Sequence, residues 1–491
     1  MCRTGSVRRL IILFIVLSAI PAVGPGTPAR AGEEQARGPG EVMPPIAPAL
    51  AARAAALREK ALASDLAWRI LRDLTTHVGP RLAGSPAEAR ARALMVERLK
   101  ALGFVNVHVE EFAVPGWRRG AEQAAVISPA PQPLAVTALG GSVATPPDGI
   151  TAPVVRFADL AALEAAPADS LKGRIAFIDQ RMFRAQDGSG YGQTVGIRVR
   201  SAVTAAKKGA LAVLIRSIGT DSHRLPHTGM MRYEKDVPKI PAAALANPDA
   251  DQLARLLARG GPVTVRLLLT PEGGFVARSG NVVAEIPGST RKDEIVLLGA
   301  HLDSWDLGTG AVDDGAGVAI VTAAAKLAGE MGQPQRTIRV VLFGAEEIGL
   351  VGARAYAKAH AGEIARHVLV SEADFGADNV WRMDTGVGTA ALPFVAAVHR
   401  LLQPLGIGRG GNDSRGGSDV SVLARAGVPA IGLRQDGMRY FDLHHTADDT
   451  LDKIDPRQLA QNVAAWATMA FLIANSDADL RAGGDLARGG E

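Results

Sequence analysis

From residue 280 onward the sequence alternates short apolar, β-branched runs with helix-forming stretches, and this alternation constrains the fold more than any other feature. Asn281 to Ile286, Ile295 to Ala300, Thr337 to Phe343, His367 to Ser371 and Val428 to Leu433 read as strands. The stretches 315–328, 352–361, 391–405 and 456–475 read as helices. Such alternation predicts an α/β fold, a mixed, mostly parallel sheet covered by helices on both faces. Sheets of this kind bind ligands beyond the carboxyl ends of their strands.

The residues just past these strands are chemically uniform. His301-Leu302-Asp303, Gly344-Ala345-Glu346-Glu347, Glu372-Ala373-Asp374 and His444-His445-Thr446 each come after a strand, and Asp313-Asp314 opens the helix after the first of these. One acidic loop is ordinarily a solvated turn. Several on one rim repel one another, and cations offset that repulsion. Imidazole mixed with carboxylate suits zinc. The sole cysteine, Cys2, precedes an apolar leader, so thiolate ligands are excluded. His301 and His445 would supply nitrogen, and Asp313, Glu347 and Asp374 oxygen. That set is too large for one catalytic zinc, which takes three protein ligands and a water, and it suits two zinc ions sharing a bridging carboxylate. Three carboxylates with a bridging hydroxide would balance the charge of the pair. Asp303 is placed to accept the second imidazole N–H of His301. Glu346, beside a ligand but free, is placed to take a proton from water and return it to a leaving amine.

Taken in order, His301-Leu302-Asp303-Ser304, Gly310 to Gly317, Phe343 to Gly349, Glu372-Ala373-Asp374 and His445-Thr446-Ala447-Asp448-Asp449-Thr450 resemble the M28 family of co-catalytic zinc metallopeptidases. The resemblance covers about 47–115, including Gly79-Pro80-Arg81-Leu82-Ala83-Gly84-Ser85, and 280–475. It implies a fold of the zinc aminopeptidase and carboxypeptidase type. One zinc would take His301 and Asp374, the other Glu347 and His445, with Asp313 bridging across a cis peptide to Asp314. Glu346 would be the general base. The family pattern aligns with His445, which leaves His444 as a neighbour within reach of substrate. Gly416-Gly417-Ser418-Asp419 looks like a family loop near the substrate, although a plain glycine turn explains it as well, and it makes Ser418 and Asp419 candidate substrate contacts.

The rest of the chain sets the context. Its 491 residues allow two or three domains. Arg3, Arg8 and Arg9, the apolar run Leu10 to Val23 and Ala29-Arg30-Ala31 form the pattern of an export signal over 1–31. The run is shorter than the ~20 residues that span a bilayer, so an uncleaved anchor is the weaker reading. Export predicts a periplasmic or extracellular protein without a stable membrane partner. Residues 32–46 read as a linker, 47–115 and 278–475 as two parts of one catalytic domain, and 476–491 as a disordered tail. Between them, 116–277 carries short β-like runs without clustered chemistry and reads as an inserted β-rich domain. Gly173 to Asp179 and Ile240 to Ala244 there look like the protease-associated domain of such enzymes. A net charge of only +4 and the lack of a basic stripe with interleaved aromatics argue against nucleic acid. Gly315-Ala316-Gly317 fails as a dinucleotide fingerprint because position 320 is Ile, and no His-Glu-x-x-His motif occurs. His77, His108, His223, His227, His360, His367 and His399 read as surface or structural. The expected activity is that of an exopeptidase on short peptides, with room for a homodimer. A dizinc amidase or deacylase, and a receptor-like protein that has lost catalysis, are the alternatives.

Overall fold

The computed structural model describes residues 46–484. The export signal, the linker apart from Ile46, and the end of the expected tail lie outside the described residues.

The main sheet is built from β1 (Val105–Arg118), β2 (Glu272–Ile286), β3 (Arg291–His301), β4 (Arg336–Phe343), β5 (His367–Glu372), β6 (Val380–Gly386), β7 (Gly408–Arg409) and β8 (Ala430–Gln435). Their spatial order is β1-β2-β4-β3-β5-β8-β6-β7. The central strands β4, β3, β5 and β8 are parallel. Strands β2 and β6 pair with them antiparallel, and β1 pairs antiparallel with β2. The sheet is therefore mixed with a parallel centre.

Side-chain alternation explains why those central strands are apolar throughout. Val296, Leu298 and Ala300 of β3, with Ile338, Val340 and Leu342 of β4, face a core shared with the helices Ala316–Gly329 and Pro456–Ala474. Leu297, Val341 and Phe343 face the opposite side, against Ala353, Tyr356 and Leu423. Register then sets the rim: His301 pairs with Phe343, and Gly299 with Glu372. The segments that come after these strands start at one level.

The chain leaves the main sheet at Arg118 and returns at Glu272, two residues paired in the β1–β2 ladder. Between them a second sheet runs in the order 132–134, 122–128, 264–269, 150–157, 175–178, 212–216, 242–245 and 136–138. One face, with Ile175, Phe177 and Leu214, closes its own core. The other, with Ala176, Ile178, Val213 and Ile215, joins the cluster that holds the main sheet's helices.

Local boundaries follow local chemistry. The alanine-rich stretch 47–74 forms two helices, Pro48–Leu62 and Leu66–His77, broken at Ser64-Asp65, whose side chains favour backbone contacts over helix continuation. Ser85 caps Pro86–Ala101 by accepting the Glu88 N–H, while Glu88 reaches back to the N–H of Gly84 rather than that of Ser85. The tail expectation needs correction for 476–484. Ala478 and Leu480 are buried, Gly388 donates to the Leu480 carbonyl, and Arg336 donates to that of Ala478. None of the described helices is long and apolar enough to cross a membrane.

Candidate metal centre

Five chain segments deliver the expected ligands to one pocket. His301 is the last residue of β3, Glu346 and Glu347 follow β4, Asp374 lies two residues past β5, and His444-His445 follow the short helix Tyr440–Leu443 after β8. Asp313 and Asp314, joined by a cis peptide bond, precede the helix Ala316–Gly329. His301, Asp313, Glu347 and His445 are buried, and Asp374 is partly so.

Asp313 lies between the two histidines. Its Oδ1 is 3.0 Å from His301 Nε2, and its Oδ2 is 3.3 Å from His445 Nε2. His301 Nε2 also lies 3.4 Å from Asp374, and His445 Nε2 lies 3.0 Å from Glu347. His444 stacks on His445 with ring centroids 3.5 Å apart, and its Nε2 is 3.4 Å from the same Asp313 oxygen. Geometry therefore offers His444 as a further nitrogen beside His445, with its Nδ1 left unpartnered. One oxygen of Glu347 is likewise buried without a partner.

The supporting residues are more specific than the sequence suggested. Asp303 does orient His301, but through its main chain: Nδ1 of His301 lies 2.9 Å from the Asp303 carbonyl and 3.7 Å from its carboxylate. That carboxylate instead accepts the backbone N–H groups of Glu346 and Glu347, at 3.0 and 3.3 Å. It thereby fixes a turn in which Ala345 adopts φ +57°, a strained value for a side chain with Cβ. Asp314 accepts from the N–H of His301 and of Gly317, so it ties β3 to the helix start.

Three contributors were not recognised in the sequence. Asp449 accepts the N–H of Val312 and of Asp313 and so holds Asp313 in place. Arg81, fully buried, donates to the carbonyls of Gly79, Leu302, Thr309 and Gly310, clamping the segments on either side of Asp303 and Asp313. His227, expected to be merely structural, bridges Asp221 and the His444 carbonyl from the second sheet's side. Beside it the Thr228 N–H donates to the His445 carbonyl, and the Thr228 carbonyl lies 3.2 Å from His445 Nδ1. Motifs could have flagged only Arg81 and Asp449, which fall inside strings singled out for their resemblance. Among the other histidines, His367 is buried and held down to about 4, chiefly by that burial.

Electrostatics fit a cation site. Burial would drive His301 toward the neutral form, yet Asp374, Asp303 and Asp313 raise it well above its ordinary value. His445 is pushed up to about 9 against burial by Glu347 and Asp313. Burial, together with Asp374, Glu347 and Asp303, raises the Glu346 carboxyl well above the carboxylate range. Buried carboxylates that favour positive charge this strongly, facing the Nε2 atoms of two imidazoles, are the donor set expected of zinc.

The pocket at this rim encloses about 310 Å³ and is lined by Glu346, Ser418, Phe375, Tyr440 and residues of the second-sheet segment, among them Tyr191, Arg198 and Met230. Ser418 lies on its wall. Asp419 does not: it is fully buried outside that lining, with Glu372 foremost among its acidic neighbours. A neighbouring apolar cavity of about 520 Å³ meets the pocket at Met230 and Ile348 and contains none of the proposed ligands.

Comparison with known proteins places the chain among peptidases. Residues 281–470 match the sequence model described as peptidase family M28. Carboxypeptidase Q of Mus musculus is 38% identical over 405 residues, covering 82% of this chain and 84% of that protein. A solved structure of a peptidase M28 precursor from Shewanella amazonensis shares 52% identity at a TM-score of 0.87, over 88% of this chain and 98% of that one. A zinc aminopeptidase from Bacillus subtilis is similar in fold, with a TM-score of 0.62 at 21% identity over 86% of this chain and 98% of that one.

Proposed function

Because the chain belongs to peptidase family M28, we propose that it is a dizinc exopeptidase acting on short peptides or dipeptides. The observation that carries this reading is Asp313 set between His301 and His445, each of which has its own second carboxylate, Asp374 and Glu347. His301 with Asp374 would hold one zinc and Glu347 with His445 the other, with Asp313 shared. Such ions, when bound, polarise a scissile carbonyl and lower the pKa of water.

The protein's own groups would do the rest. Glu346, raised in pKa and held in its turn by Asp303, takes the proton of the attacking water and delivers it to the leaving amine. A pocket of about 310 Å³ suits a small peptide rather than a folded chain. Its partners are therefore short peptides. The second sheet is proposed to be the protease-associated insertion, spanning about 116–277, between catalytic segments 47–115 and 278–475. Residues 1–31 are proposed to direct export to the periplasm or beyond. A dizinc amidase on a non-peptide amide would use the same residues. A receptor-like role is disfavoured because the base and all five proposed ligands are present.

Zinc content and hydrolysis of a dipeptide panel test this, with the mature protein and Glu346→Ala side by side. Two zinc ions per chain are expected in both, with kcat lowered roughly 10²–10⁴-fold in the variant. Absence of zinc together with an untouched panel would bring the receptor-like reading forward.

A further inference from the structure

A second group of imidazole and carboxylate side chains lies outside the rim pocket, where the edge strand β1 meets the end of the helix Val351–Ala359. His108 and Glu110 are two residues apart on β1, so they project from one face of the strand. Just before them Asn106 adopts φ +52°, and the pairing of β1 with β2 slips between Val105 and His108. Irregularities of this kind re-aim side chains. His360 follows the last residue of the helix, and its ring stacks on Tyr356 with centroids 4.2 Å apart. Singly, each histidine reads as a surface group; the fold brings the two onto one carboxylate.

Nε2 of His108 is 3.3 Å and Nε2 of His360 is 2.7 Å from the same atom, Oε1 of Glu110. The opposite nitrogens are anchored. Nδ1 of His108 lies 2.6 Å from the Asn106 carbonyl, which can only accept, so that nitrogen carries a proton. Nδ1 of His360 lies 2.9 Å from a Glu363 carboxylate oxygen that also pairs with Arg339 at 3.1 Å, and it too donates. The neutral form of each ring then turns a lone pair toward a carboxylate oxygen. Such a pair of acceptors repels unless a cation intervenes, either a second proton on each ring or one metal ion shared by both. The other oxygen of Glu110 is buried and has no hydrogen-bond partner among the described residues.

We propose that His108, Glu110 and His360 form a further metal site, for zinc, separate from the pair at the rim. Two imidazole Nε2 atoms and one carboxylate suit Zn²⁺, with water in the fourth position. The ligand atoms of a tetrahedral zinc stand about 3.3 Å apart, close to the spacing of both nitrogens from Glu110. Both Nδ1–H groups already meet oxygens of the kind that orient zinc-binding histidines. Closing around an ion requires only that His108 turn inward, and its side chain is 50% exposed. The site offers one carboxylate where the rim offers three, so it fills after the proposed pair, at higher free zinc. The ion staples β1 to the helix that begins shortly after Glu347, across a sequence separation of 250 residues.

The test is zinc bound per chain by equilibrium dialysis of the untagged protein, from nanomolar to micromolar free zinc, for wild type, His108→Ala and His360→Gln. In the micromolar range wild type should take up one zinc more than either variant. His108→Ala removes a half-exposed side chain, so it carries the test even where His360→Gln does not fold. Equal zinc content at every concentration overturns the assignment. The total bound by wild type tests the pair at the rim, whereas the difference between wild type and variant tests this site, so either can fail alone. Anomalous scattering at the zinc edge from wild-type crystals should place the extra ion among His108, Glu110 and His360, and an extra ion found elsewhere overturns the site. Micromolar zinc should also raise the melting temperature of wild type by about 1–4 °C more than that of His108→Ala. An equal rise in the two proteins overturns the staple.

Discussion

A carboxylate that holds backbone instead of metal can matter as much as a ligand, and Asp449 is such a group. Its two oxygens satisfy the buried N–H groups of Val312 and Asp313. Asp449→Ala would leave both unpaired, at about 1–3 kcal/mol each, and free Asp313, the proposed bridge, to rotate. Zinc titration should show affinity reduced roughly 10–100-fold, with a smaller loss for Asp449→Asn, which retains one acceptor. Titration of the metal-free protein offers a second check. His445, raised to about 9, contributes stability that is complete below its ordinary value of 6.5 and lost as pH rises through 9. Asp449, raised to about 7, and Glu372, raised to about 8, both chiefly by burial, also favour the protonated chain, so folding weakens as pH climbs from 4 toward those values. Asp313, held low by His301 and His445 against burial, acts in the opposite sense, but only at pH below its ordinary value. The melting temperature in chelator should therefore fall between about pH 5 and 9, and saturating zinc should flatten the slope; a rise with pH would reject the charge balance described here. His301, Glu347 and Asp374 were legible in the sequence because each falls within a few residues of a strand end, and Asp313 and His445 because they lie in the motif strings. The roles of Arg81, Asp449 and His227 were not, since their distant partners are main-chain atoms 136 to 229 residues away, and a motif that contains a residue does not show what it holds.

Elements position these residues by close approach as much as by hydrogen bonding. The helix Ala316–Gly329 starts against the segment after β5, and a Cβ at Gly317 would come within 2.0 Å of the Ala373 carbonyl. That carbonyl belongs to the residue just before Asp374, so Gly317→Ala must shift either the helix or a proposed ligand. Overpacking of this kind costs about 1–3 kcal/mol. Urea unfolding should show that loss in chelator, together with a smaller stabilisation by zinc than in wild type. The parallel strands could be located in advance because their β-branched runs are buried on both faces and bounded by polar turns. Gly315-Ala316-Gly317 was legible only as a failed nucleotide loop, because the contact that requires glycine comes from a strand more than fifty residues away. Register was equally hidden: only the pairing of His301 with Phe343 and of Gly299 with Glu372 brings the strand ends level.

At the scale of the whole molecule, the segment between β1 and β2 is both removable in topology and integral in packing. Arg118 and Glu272 are paired neighbours, so a short turn could join them without disturbing the ladder. All five proposed ligands and Glu346 come from the main sheet's side. Yet Ala176, Ile178, Val213 and Ile215 share a core with the main sheet's helices, and His227 and Thr228 hold the His444-His445 segment. The sequence showed this stretch as β-rich and poor in clustered chemistry, and it could not show which face docks over the rim, because docking depends on tertiary packing. These two properties predict opposite outcomes for one deletion. Replacing 119–271 with an Asn-Gly turn should leave a chain that still binds zinc, since no proposed ligand is removed. Affinity should fall about 10–100-fold, because the carbonyl that receives His445 Nδ1 and the hydrogen bonds to the neighbouring backbone are lost. The deleted chain should also expose apolar surface, read as increased binding of a hydrophobic dye. If zinc affinity survived the deletion unchanged, the second sheet would be a bystander, and the site would belong to the main sheet alone.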